Sequence, residues 1–344
     1  DGIRASVASR GLGDVYKRQG STETRSTDLR DPSPIEPQTP IIETPPSTEP
    51  PQTTDASGAV GVAAVIADET PRDIVVETEQ VIATFSNRGG VLKSWQLKEY
   101  SEDSGEPNQQ APVLDDQEAP LPFTLEVADE QLNARLREAL FRPSAGSLQV
   151  GTEPRSLVFE YEDSGGLQIR KEYRFDPQNE PFVVRFSASV RTSRGAVNPV
   201  VRWGPGLGSS TAGGFGFTYT QPSQAIFYRE EEVSRLDSSD LEETPAYEGA
   251  FGFVGVDDHY FLSAALPDTN LAEVSYRPTT LGSGDDQLVL IDYSLQFAEP
   301  PTATRFYMGP KDFDILGIID GELVRAVHFG FFSWLVVPLH RSLK

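Results

Sequence analysis

"YEDSGGLQIRKEYRFDPQNEPFVVRFSASVR" (Tyr161–Arg191) decides what kind of fold this chain adopts. From Leu167 to Arg174 two sets of side chains alternate: Leu167, Ile169, Lys171 and Tyr173 against Gln168, Arg170, Glu172 and Arg174. Successive residues of a strand point to opposite faces, so the run reads as a half-solvated antiparallel strand. Asp-Ser-Gly-Gly precedes it and Asp-Pro-Gln-Asn-Glu-Pro follows, both turn chemistry. A second alternating run, "FVVRFSASVR", then completes a hairpin.

The same texture extends in both directions. "IVVETE", "VIATFS", "VLKSWQLKEY" and "SLVFEYE" come before it. "QAIFYR", "FGFVGV", "LAEVSYRP", "QLVLIDYSLQF" and "TATRFYMG" come after it, and all read as strands. One helix is expected in "ADEQLNARLREALF", where Leu132, Leu136 and Leu140 recur at helical spacing. A second short one is expected after Pro310, in "KDFDILGII". No repeat of fixed period is present. The expected fold is all-β: one large antiparallel β-sandwich over residues 66–325, with one or two short helices.

The front of the chain is different. Residues 1–19 lack any periodicity, and Asp14 to Gln19 is the peptide that a transposon-type sequencing adapter encodes. We treat them as a non-native scar, which would mean that the native start and any anchor are missing. Residues 20–65 are rich in Pro, Thr and Glu, with eight prolines and no Lys or Arg from Asp31 to Gly58. Such a segment cannot offset its ordering entropy, and it reads equally as a semi-stiff tether or as disorder without a role.

Composition excludes several functions. A net charge of −23 argues against nucleic acid, whose phosphates demand a basic face. With no cysteine there are no disulfides and no thiolate metal sites. Of three histidines, His328 and His340 sit in or beside the apolar tail, leaving His259 alone in the body. In "GVDDHYF" Asp258 and His259 point to opposite faces of a strand, which makes a surface turn the better reading than a metal or acid–base site. "GPGLGSSTAGGFGF" (Gly204–Phe217) lies between strands, with no helix to hold a phosphate. No catalytic residue, cofactor or metal is expected.

Four patterns in order resemble the large periplasmic domain of the YidC insertase family. They are "VVETEQVIATFSNRGGVLKSWQLKEY" with its Arg88-Gly89-Gly90 turn, "VRWGPGLG", "GFVGVDDHYFLSAALP" and "FYMGPKDFDIL". The end, "HFGFFSWLVVPLHRSLK", resembles the segment that leads into that family's interfacial helix. The likeness runs from about Ile74 to Lys344 and implies a supersandwich similar to galactose mutarotases. It also implies a role in inserting and folding inner-membrane proteins, with such clients and Sec translocase subunits as partners. The family's membrane core is absent here, so none of its insertase residues carries over.

Beside that resemblance, residues 326–344 read as a membrane-interface segment. Only Gly330 and Ser333 interrupt the apolar side chains from Phe329 to Leu339, and the last 22 residues contain no Asp or Glu. That run is too short to span a bilayer. Phe331, Phe332, Trp334, Leu335 and Leu339 would enter the headgroup boundary while Arg341 and Lys344 meet lipid phosphate. The same tail could instead pack into the sandwich. Two other functions remain open: a periplasmic carbohydrate- or peptide-binding module, for which Trp95 and Trp203 are the candidates although both lie in strands and read better as core, and an aldose-epimerase-like enzyme built around His259.

Overall fold

The computed structural model describes residues 63–101, 107–111, 120–206, 223–267, 271–281 and 288–327. Its largest sheet has eleven strands. Nine lie in the order β1 (Ala64–Ile66), β9 (Arg155–Asp163), β10 (Gln168–Phe175), β11 (Val183–Thr192), β21 (Thr304–Pro310), β18 (Phe261–Leu266), β17 (Phe251–Asp257), β14 (Gln224–Arg229) and β15 (Glu232–Leu236). The short β7 (Arg142–Pro143) and β12 (Gly195–Val197) join β9 and β11. One five-stranded sheet runs β16 (Ala246–Glu248), β19 (Leu271–Leu281), β20 (Leu288–Phe297), β13 (Val200–Gly206), β6 (Thr124–Glu126). The other runs β5 (Pro107–Ala111), β4 (Val91–Ser101), β3 (Val81–Ser86), β2 (Asp73–Glu77), β8 (Ser147–Gln149).

The hairpin that opened the sequence is β10 and β11, paired antiparallel with Lys171 opposite Ala188. Its apolar set faces the two smaller sheets. The ring of Phe123 sits 4.8 Å from Phe186, 4.8 Å from Phe306, 4.9 Å from Trp203 and 5.1 Å from Tyr173, joining strands of both layers. Burying five such rings supplies much of the adhesion between the layers.

Helices stand where leucine spacing and Pro310 placed them, at α1 (Glu130–Glu138) and α3 (Phe313–Ile319). Asp129 and Asp312 cap their first turns. A further helix, α2 (Ser238–Glu243), was not expected. Nor was the parallel pairing of β2 with β8. Strand β1 begins at Ala64, two residues before the expected start of the sandwich. Among the described residues no helix is long and apolar enough to cross a membrane.

Candidate functional site

The last described residues are held down on the outward face of the large sheet. Strand pairing fixes which face that is. Phe306 points between the layers, so its neighbours Arg305 and Tyr307 point out. By the same alternation Asp257 on β17 and Arg235 on β15 also point out, from opposite sides of β14.

Asp257 is fully buried, and its Oδ2 accepts hydrogen bonds from Arg235 Nε at 3.1 Å and Lys311 Nζ at 3.0 Å. Arg235 Nη2 continues to the carbonyl of Ala326 at 2.6 Å. One buried carboxylate thus ties β17, β15, the end of β21 and the 3₁₀ turn Leu323–Ala326 together. Beneath that turn Leu316, Leu323 and Ala326 are fully buried. Arg305 donates to the carbonyl of Ile319 at 3.0 Å and to Asp320 at 2.9 Å, holding the end of α3. The Arg325 guanidinium lies 5.0 Å from the centre of the Tyr228 ring. These contacts tie the chain to the sheet as far as Ala326. Phe331, Phe332, Trp334, Leu335, Leu339, Arg341 and Lys344 lie outside the described residues.

A second buried cluster supports the Arg-Gly-Gly turn. Gly89 and Gly90 adopt φ of 70° and 58°, which explains the glycines. Lys171, buried on the inner face of β10, donates to the carbonyls of Gly89 at 2.7 Å, Phe123 at 2.8 Å and Gly90 at 3.3 Å. Tyr173 Oη donates to Gly90 at 2.6 Å. Burial pushes the Lys171 ammonium down to about 7, while the three carbonyls act against that by solvating the charge. The cluster is a tie between layers, and nothing in it contacts solvent.

The sequence-level candidates separate. His259 is exposed on the turn between β17 and β18, its ring 4.4 Å from that of Tyr260. Asp258 closes that turn by accepting from the Tyr260 and Phe261 N–H groups, and burial raises its carboxyl. Asp257, one residue earlier, is turned into the clamp and away from any shared site. Among the described residues no three His, Cys, Asp or Glu side chains are grouped to hold a metal. Trp95 and Trp203 are core residues, and Trp95 Nε1 donates to the Met308 carbonyl at 3.0 Å. A shallow dent beside Trp95 is lined by Thr78, Glu180, Phe175 and Phe182, and its aromatic side chains are buried, so no ring face is presented to a sugar.

Among solved structures, a galactose mutarotase related enzyme from Lactobacillus acidophilus is 11% identical, with 69% of this chain and 97% of that chain covered and a TM-score of 0.39. A putative aldose 1-epimerase from Escherichia coli is 10% identical, with 70% and 98% covered and a TM-score of 0.38. Curated relatives are nearer. The membrane protein insertase YidC of Geobacter metallireducens is 31% identical over 298 residues, 84% of this chain and 53% of that protein. The same protein of Geobacter sulfurreducens is 30% identical, over 78% of this chain and 50% of its own length. The chain spans about half the length of these relatives. The family described as YidC periplasmic domain matches residues 73–342, and the chain belongs to it.

Proposed function

We propose that this domain is the periplasmic part of an inner-membrane insertase and chaperone that helps membrane proteins insert and fold, alone or with the Sec translocase. In this reading the domain faces the periplasm, and the segment from about Phe329 to Lys344 lies on the membrane surface. The observation that carries it is the clamp. A sandwich that anchors its chain by a buried Asp257, just before a segment combining apolar side chains with Arg341 and Lys344, is built to hold that segment at a fixed place. Epimerase chemistry needs an acid and a base that converge, and His259 stands on an exposed turn. A sugar-binding reading loses its candidate platform with Trp95 and Trp203 in the core.

Brominated-lipid quenching of tryptophan fluorescence tests the tail. Trp95 and Trp203 are buried and should be indifferent to lipid. Full insertion of each large apolar side chain would gain roughly 1.5–3 kcal/mol, of which interfacial depth recovers part. The expected result is strong quenching in the full chain that disappears in Trp334→Phe. Fluorescence unchanged by brominated vesicles would place the tail in the sandwich and overturn this reading.

A further inference from the structure

We propose that, away from lipid, the segment from Phe329 to Leu339 folds back onto the ridge formed by α3 and the 3₁₀ turn. The tail then has two resting places, one on the protein and one on the membrane. The membrane place is the reading above, and the place on the ridge stands without it.

The ridge keeps an apolar side for which the sheet has no use. Leu316, Ile319, Leu323 and Ala326 are buried beneath it. Away from the sheet, Ile318 is 67% exposed, and Ile315, Val324 and Val327 are covered only in part. Helix α3 packs against the turn, with the exposed Gly317 next to Val324. A β-carbon at Gly317 would meet only Val324, at 3.7 Å, so the missing side chain leaves a notch there. Glycine weakens a helix interior, and none of the described contacts requires it at this position.

Reach, composition and charge name the occupant. Val327 lies on the ridge itself, and the apolar run begins two residues later. Even wound as tightly as a helix, the eleven residues Phe329–Leu339 would cover about 16 Å, against about 10 Å for the seven residues of α3. Exposed Asp312, Asp314 and Glu322 flank the apolar strip. The turn's own cation, Arg325, lies over the Tyr228 ring. The tail brings Arg341 and Lys344 and no Asp or Glu. An acidic rim around an apolar strip suits such a segment and disfavours an anionic bilayer. Resting there, the tail would keep its apolar side chains out of water until lipid is met.

Acrylamide quenching of Trp334 in the full chain without lipid is the test. Subtracting the signal of Trp334→Phe removes the buried Trp95 and Trp203. Trp334 should be severalfold less quenchable in the folded parent than in urea, at any protein concentration. Ile318→Ser alters an exposed side chain, so the thermal midpoint should hold. It should shift the docked-to-free ratio about fivefold towards free, raising Trp334 quenching towards its unfolded value. Arg341→Gln with Lys344→Gln should shift the ratio about twofold. Three results would each overturn the proposal: a Trp334 as open as in urea, shielding that survives Ile318→Ser, or shielding that grows with protein concentration through tail–tail association. Shielding released by Ile318→Ser, with no quenching by brominated lipid, would keep this proposal and fail the membrane reading. An open tail that brominated lipid quenches would do the reverse.

Discussion

Replacing Lys171 with Met should destabilise the domain by about 2–4 kcal/mol at pH 6. The substitution keeps the length of the side chain and removes the donor, leaving the carbonyls of Gly89 and Phe123 buried without the partner they have now. A buried acceptor left unpaired costs about 1–3 kcal/mol, and hydrogen bonds to a charged group are the stronger kind. Removing a buried charge returns part of that. The carbonyl of Gly90 keeps its bond from Tyr173 and is lost least.

The same lysine sets a pH dependence whose sign can be worked out. Its pKa is about 7 when folded and 10.5 when exposed in the unfolded chain. Between those values the unfolded chain binds more protons than the native one, so stability rises with pH. The rise is at most about 1.4 kcal/mol per unit, and it is flat below pH 7. Tyr173, Tyr276, Tyr293 and Tyr307 are held protonated by burial, which erodes stability once unfolded tyrosines ionise near pH 10. Urea denaturation from pH 6 to 9 reads the lysine in isolation. The parent should gain stability across that range, and Lys171→Met should gain far less. Parallel curves for the two proteins would show that the ammonium is held by its carbonyls at an ordinary pKa.

The second large effect is expected at Asp257. Asp257→Ala leaves Arg235 and Lys311, whose side chains are 19% and 9% exposed, without their shared carboxylate. Breaking a buried pair from one side costs about 3–5 kcal/mol, because the remaining charge stays desolvated. The loss should be felt first where Arg235 meets Ala326. Trypsin should therefore cut after Arg325 in the variant well before the rest of the sandwich opens. Cleavage there at the parental rate, with global stability lowered, would mean that Asp257 supports the sheet and not the exit.

Legibility followed the range of the interactions involved. Alternation revealed β10 and β11, and even placed Lys171 on the apolar side with Leu167, Ile169 and Tyr173. Its partners lie 48 to 82 residues away, and no spacing rule reaches them. The clamp was hidden for the same reason. Arg235, Asp257, Lys311 and Ala326 come from four separate stretches, and the buried Asp257 looks in the sequence like part of the exposed turn beside it. Helix α2 escaped because Leu241 is its one buried side chain, too little for a helical stripe. A signal was present all the same. Asp237 and Asp240 form a reciprocal capping box, an N-terminal mark independent of apolar spacing. Strands β8 and β16, three residues each, fall below what alternation can register.

The described chain joins the large sheet at β1, one edge, and leaves it above β14 and β15, the other. Nine strands at about 4.8 Å spacing separate the two points, roughly 38 Å along the sheet. A pull applied between Ala64 and Ala326 would run across the strands, so it would load the hydrogen-bonded ladders along their bonds, one after another. The edge pair β1 and β9, with three residues in β1 and a register shift, would give way first.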